Sequence, residues 1–364
     1  MKSRPRWDRC VYHRGLEAEE FTSEYFAEPQ RNMLLIGGAG FDPRCTVFAE
    51  RLAAVAGDRV HGLFLKEERT EAGKELEERA RVNSGRLREL VPQSVVQQLE
   101  IFAVDGAVIG GRTASNLVSQ FDVGGITDVV VDLSSLSKGI AFPIVKYLLL
   151  TAEKGSSFNI HLVVVDNPFV DDEIVAVGSD RPGMMHGFRG GLGLDENNQA
   201  ARMWLPQLIS RQHAILDRIH SFVEPHDVCP ILPFPASNPR LPDKLVEEYA
   251  DQFESSWEVD ARDILYADEK DPLDLYRTIL RIDEARTRVF ASTGGSLIIL
   301  SPIGSKALAI GALMAAIERD FPVAYVEAVA YNIDFRKIDQ REDKTGELVH
   351  VWLYGEAYEK KGPA

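Results

Sequence analysis

A chain of 364 residues has room for two domains of ordinary size, and its composition, 45% hydrophobic and 27% charged, is that of a folded rather than a disordered protein. Its formal net charge of −15 argues against broad binding to nucleic-acid backbones, where Lys and Arg must displace counterions. Three scattered cysteines (Cys10, Cys45, Cys229) make no CxxC pair and no zinc spacing, the basic N-terminus lacks an apolar h-region, and "IAFPIVKYLLLTA" is broken by Pro143 and Lys146, so the sequence predicts a cytoplasmic protein with no membrane segment.

Residues 1–30 are charged and aromatic without a clear period and read as an extension. From Met33 the apolar run "MLLIGG" leads through "AGFDPR" into the helix "CTVFAERLAAVA". Strand "RVHGLFL", a long charged helix from about Lys66 to Leu90, strand "QLEIFAV", a helix near Arg112 to Phe121 and the buried strand "TDVVVDL" follow. The turn "SSLSKG" opens another helix, and "NIHLVVVD" closes the series. Short β-branched runs alternating with helices are the pattern of βαβ units on a parallel sheet, whose strands are apolar on both faces.

The Gly-rich stretch from Gly178 to Asn198 then breaks all periodicity, as a linker or as a loop over a site. A long helix is predicted from about Ala200 to Phe222. Beyond it, "VCPILPF", "DILYAD", "SLIILS" and "VAYVEAVA" read as a second set of strands, with "LVHVWLYGEAY" as an edge strand. The predicted fold is α/β, two tandem Rossmann-like domains with mostly parallel sheets. Residues 31–177 form the first domain, 178–199 the linker or loop, and 200–364 the second.

The halves echo each other. "FDPR" (Phe41–Arg44) follows the first predicted strand of one half and "SNPR" (Ser237–Arg240) that of the other; "LSSLSKGIAFPI" and "LSPIGSKALAIG" also match in form. The intervals differ, since Pro43 and Pro239 are 196 positions apart while Lys138 and Lys306 are 168 apart.

Strand-to-helix turns of a parallel sheet lie at its carboxyl edge, where unpaired N–H groups and the positive end of the helix dipole meet ligands. In "SPIGSK", Gly304 permits close backbone approach, Ser305 caps the helix or donates its hydroxyl, and Lys306 supplies a point charge. These are the parts of a phosphate cradle without the GxxxxGK[ST] spacing of a Walker A loop. The alternative stays open that Gly304 only makes the turn, Ser305 only caps and Lys306 faces solvent. The turn with Ser134, Ser137 and Lys138 has similar parts, with its glycine after the lysine.

The strand followed by Gly304-Ser305-Lys306 and a small-residue helix resembles the strand, Gly-Thr-Lys and helix motif of CARF domains, Rossmann-like sensors of cyclic oligonucleotides in prokaryotic antiviral systems. The resemblance covers Ser296 to Leu313, with an echo at Asp132 to Ile144; one glycine of the usual Gly-Gly-Thr-Lys is missing and serine stands for threonine. It implies a phosphate-bearing ligand, most simply a nucleotide, and a protein partner that carries the output. "GAGFDPR" is similar to the first motif of some S-adenosylmethionine methyltransferases. That similarity implies a cofactor turn at Gly38, Gly40, Asp42 and Arg44, with an acid such as Glu67 or Glu68 at the end of the second strand. A tight turn capped by Asp42 and opened by Pro43 accounts for the same residues.

In "YADEKDPLDLYR", Asp268 and Asp271 stand where carboxylates can hold Mg2+ beside a bound phosphate, or where Asp271 merely caps a helix begun by Pro272. The eight histidines show no HExxH pattern; His186, with Arg181 and Arg189, sits in the Gly-rich stretch that could close over an anion. The expected function is a nucleotide- or phosphate-binding sensor or adaptor. The alternatives are a transferase using a nucleotide or S-adenosylmethionine, and a non-catalytic subunit of an assembly.

Overall fold

The computed structural model describes residues 4–69, 73–155, 157–189, 200–341 and 346–358. The chain opens with β1 (Val11–Arg14), α1 (Leu16–Tyr25), β2 (Met33–Gly38), α2 (Val47–Ala56), β3 (Val60–Glu68), α3 (Lys74–Leu90) and β4 (Gln93–Glu100). It continues through α4 (Gly110–Gln120), β5 (Asp128–Asp132), α5 (Lys138–Glu153), β6 (Asn159–Asp166), α6 (Pro168–Glu173) and β7 (Ile174–Met184). Then come β8 (Ala201–Pro206), α7 (His213–Val223), β9 (Asp227–Val228), β10 (Ile231–Pro233), α8 (Leu241–Glu248), β11 (Leu265–Ala267) and α9 (Pro272–Val289). The last elements are β12 (Ser296–Ser301), α10 (Lys306–Arg319), β13 (Ala324–Ile333), α11 (Phe335–Gln340) and β14 (Glu347–Tyr354).

The fold is α/β, and it divides into two compact units, neither of them continuous in the chain. One comprises Trp7–Val170 and Asp334–Ala364; the other comprises Met1–Arg6 and Asp171–Ile333. None of the three cuts falls within residues 178–199, where composition suggested a linker or a loop.

The first unit holds a seven-stranded sheet in the order β1-β14-β6-β5-β2-β3-β4. Its five strands from β6 to β4 run parallel, in the 3-2-1-4-5 order of a Rossmann-like sheet, and β14 pairs antiparallel with β6. The residues of β2, β5 and β6 are buried throughout, as the unbroken apolar runs of a sheet covered on both faces require. Phe48, Leu52, Leu87 and Phe26 pack with Met33, Leu35, Val130 and Val163 in one core.

Two expectations fail here. Residues 1–30 include an edge strand and a helix, β1 and α1, and β14 is an interior strand between β1 and β6 rather than an edge. Neither pairing leaves a local trace, because Val11 faces Trp352 across more than three hundred residues of chain. The charged helix begins at Lys74, because β3 runs on to Glu68.

The second unit repeats the order in broken form. Strands β12, β8 and β9 form a parallel ladder, β10 and β11 another, and single parallel bridges join Gln207 to Ile231 and Leu300 to Val323. The sequence of neighbours is thus β11-β10-β8-β12-β13, with β7 antiparallel on β13. Around it Trp204, Leu216, Ile219, Tyr249, Trp257 and Ile299 form the core.

The helix expected from Ala200 to Phe222 is instead strand β8 followed by α7. The first strand of the parallel series in this unit is therefore β8, and "SNPR" follows the second strand of that series, so its match to "FDPR" aligns unlike places. Met33 and Ala201 are 168 positions apart, as are Asp128 and Ser296, the same interval that separates Lys138 from Lys306.

Candidate functional site

Open parallel sheets bind ligands where the strand order reverses, at the carboxyl ends of the first and fourth strands. In the first unit those are the ends of β2 and β5, and in the second those of β8 and β12. The turns singled out from the sequence sit at these places: Gly38–Arg44 and Ser134–Lys138 in the first unit, Ser301–Lys306 in the second.

The turns of the first unit are largely occupied by the protein itself. Asp42 opens a short 3-10 turn and accepts from the Arg44 N–H at 2.9 Å. The Arg44 guanidinium, 1% exposed, grips the same carboxylate through Nε at 3.0 Å and Nη2 at 2.8 Å. The arginine expected to hold a cofactor carboxylate thus already holds a bidentate carboxylate partner two residues away. Gly38 lies so close to the facing turn that a Cβ there would stand 2.6 Å from Ser135 Oγ, whereas Gly40 has open space where a Cβ would be.

Ser134 donates its hydroxyl to Asp132 and accepts from the Val165 N–H at 2.8 Å, which ties β5 to β6. The Ser137 N–H, at the start of α5, donates to Glu67 Oε1 at 2.8 Å, and Arg69 pairs with the other carboxylate oxygen. Of the two acids named for the end of the second strand, Glu67 fills the anion position at a helix N-terminus, while Glu68 pairs with Lys66. Burial, with Asp42 and Asp132 nearby, pushes the Cys45 thiol well up, so it stays protonated.

The turn of the second unit is differently furnished. Ser301 is structural: it accepts from Trp204 Nε1 at 2.8 Å and donates to the Ala324 carbonyl at 2.8 Å. Ser305 caps α10, its hydroxyl accepting from the Leu308 N–H at 3.2 Å. Helix α10 is buried through most of its length, Ala307 to Ala316, so its N-terminal dipole acts at the edge of a low-dielectric interior. Lys306, its first residue, is half-buried.

Against this turn lies Gln207, from the end of β8 and 1% exposed. Its Nε2 donates to the Leu308 carbonyl at 3.3 Å, while its Oε1 is buried with no hydrogen-bond partner. A Cβ at Gly304 would stand 3.0 Å from that oxygen. Sequence reasoning missed Gln207 because it assigned residues 200–222 to a helix. The 168-residue interval was the available signal, since it places Gln207 opposite Ala39 in the first unit's glycine turn.

The acidic stretch behaves as a set of caps. Asp271 accepts from the Leu273 N–H at 2.8 Å, and Asp268 Oδ1 from the Lys270 N–H at 2.9 Å. The Asp268 N–H in turn donates to Asp274 Oδ2 at 2.9 Å. Among the described residues no group of three or more His, Cys, Asp or Glu side chains is placed to hold a metal ion. Arg181 lies on β7, and His186 and Arg189 are exposed beyond it; residues 190–199 of the proposed closing loop lie outside the described residues.

No protein-family model matches the chain, and no curated protein matches it. A comparison with solved structures returns the crystal structure of an N-terminal ketoreductase from a macrolactin assembly line. That chain is 11% identical, with 86% of this chain and 72% of that one covered, at a TM-score of 0.21, too slight a likeness to carry an argument. Among the described residues no helix is long and apolar enough to cross a membrane.

Proposed function

We propose that the protein binds a phosphate-bearing ligand, most simply a nucleotide, at the Ser301–Lys306 turn, and that it acts as a sensor or adaptor rather than as a catalyst. One observation carries the reading. At the switch point of the second unit, the N-terminus of α10 meets a buried side-chain oxygen, Gln207 Oε1, that has no donor. A buried acceptor left unsatisfied costs about 1–3 kcal/mol, which a ligand hydroxyl or amine would recover. A ligand with an anionic group for the helix end and Lys306, and a donor for Gln207, suits both. The resemblance of this stretch to CARF domains points to the same class, cyclic oligonucleotides included. The output would then pass to a protein partner.

The corresponding turn of the first unit has its arginine and its helix end already matched to Asp42 and Glu67. The S-adenosylmethionine reading therefore ranks second.

The test is a thermal-shift and calorimetric panel of mononucleotides, cyclic oligonucleotides and S-adenosylmethionine, with and without Mg2+, on the intact chain. A ligand at a hundred times its Kd stabilises the fold by about 2.7 kcal/mol. The expected result is a shift from a phosphate ligand that Lys306→Ala and Gly304→Val both lose, with the ligand recovered unchanged. A shift from S-adenosylmethionine alone, lost in Gly40→Val, would move the site to the first unit. No shift from any compound would favour the assembly subunit.

A further inference from the structure

Three histidines that no motif joins lie in a row through the first unit. His13 on β1 faces His350 on β14 across the ladder, Nδ1 to Nδ1 at 3.0 Å. His350 Nε2 meets His161 Nδ1 on β6 at 2.9 Å, and His161 Nε2 meets Asp128 Oδ1, at the start of β5, at 3.2 Å. His161 and His350 are fully buried and His13 is half-buried. Phe21 stacks on both His13 and His350, with centroids 4.6 and 4.3 Å away.

We propose that this row is an acid-sensitive latch that holds β1 and β14 on the sheet. Asp128 accepts from Thr127, Tyr25 and Asn159 as well as from His161, so it is a carboxylate and the His161 proton on that side sits on Nε2. Its Nδ1 must then accept from His350 Nε2–H, and His350 Nδ1 must accept from His13 Nδ1–H. Each contact holds one proton, all three rings are neutral, and the open lone pair is at His13 Nε2. One added proton is accommodated when the two inter-ring hydrogen bonds reverse, leaving an imidazolium at His161 against Asp128. A second proton cannot be placed without setting N–H against N–H, so it breaks the row.

The charged groups around it do not relieve this. Glu17 on α1 acts on His13, while Arg31 and Glu356 act on His161 from beyond Asp128 with opposite signs. On β1 and β14 themselves Arg14 and Glu347 pair with each other. Tyr25 on α1 bonds Asp128 and Glu356. Cys10 and Tyr358, beside Val11, bond each other. Burial lowers the pKa of all three rings, that of His350 most. Once opened, the same rings titrate near the ordinary 6.5, so below that pH the open form binds more protons. Opening then gains about tenfold per pH unit for each ring still neutral in the closed form.

Amide hydrogen exchange of the intact chain at pH 7.5 and 5.0, corrected for intrinsic rates, tests this, together with imidazole NMR titration. The expected result is that the opening equilibrium of residues 11–14 and 347–354 rises at least tenfold more than that of β2 and β5. The three rings should move together in the first titration step. His13→Phe keeps the stack on Phe21 but removes the outermost ring, and should cut that selective rise at least threefold. A rise no larger than elsewhere, three independent titrations near 6.5, or an unchanged response in His13→Phe would each overturn the latch.

Discussion

At the scale of single residues, two side chains separate structural from ligand-binding roles. Arg44 and Asp42 form a buried ion pair, their side chains 1% and 9% exposed. Removing one partner strands a buried charge, so Arg44→Ala should lower stability by about 3–5 kcal/mol in urea unfolding, and Asp42→Asn with Arg44→Met should recover part of it. A loss below 1 kcal/mol would show that the arginine is held for a ligand rather than for the fold. Gln207 should behave in the opposite way. Gln207→Met keeps the volume and deletes the partnerless oxygen together with the long Nε2 bond to Leu308, two opposed effects, so the unfolding midpoint should move by the equivalent of less than about 1 kcal/mol, while ligand binding is lost. The residue types of the turns were legible because Gly, Ser and Lys at a strand end carry a physical meaning. What each hydroxyl or guanidinium bonds was not, since the partners Glu67, Val165 and Gln207 come from other strands.

At the scale of elements, α5 and α10 begin with the same Ser-Lys pair at equivalent places and yet start differently. The Ser305 hydroxyl caps α10, so Ser305→Ala should cost about 1 kcal/mol. The Ser137 hydroxyl makes no cap and is buried without a partner, so Ser137→Ala should be neutral or slightly stabilising in the same assay. Equal losses at the two positions would mean that both helices rely on their serine. The strands β2, β5, β6 and β12 could be read directly, because a parallel strand covered on both faces is an unbroken apolar run. Strand β8 could not: "ARMWLPQ" mixes Arg, Pro and Gln with apolar residues and leads towards the amphipathic α7, so its period is ambiguous over six residues.

At the scale of the whole molecule, the chain does not fold as two consecutive halves. Strand β14, from the last thirty residues, completes the sheet built by residues 7–170, and β7 pairs in the unit formed by 171–333. A fragment of residues 7–170 lacks β14, which leaves β6 with an open edge and β1 with no partner. It should unfold without a cooperative transition, and adding residues 334–358 on a flexible linker should restore one. A cooperative transition in the shorter fragment would contradict the assignment of the C-terminal segment. Composition suggested a cut inside the Gly-rich stretch because glycine marks loops in general, yet Gly178 and Gly183 are strand residues of β7. Pairings between distant segments leave no local period, and so the sheet order came only with the structure.

The proposed site places a phosphate-bearing ligand on the N-terminus of α10. Hydrogen exchange measured with and without the nucleotide that gives the largest thermal shift tests it most directly, read at Ser301–Leu308 and at Gly38–Cys45. The account predicts strong protection of the amides at 304–308, absent in Lys306→Ala, and little change at 38–45. Protection confined to 38–45 would contradict it and move the ligand to the glycine turn of the first unit.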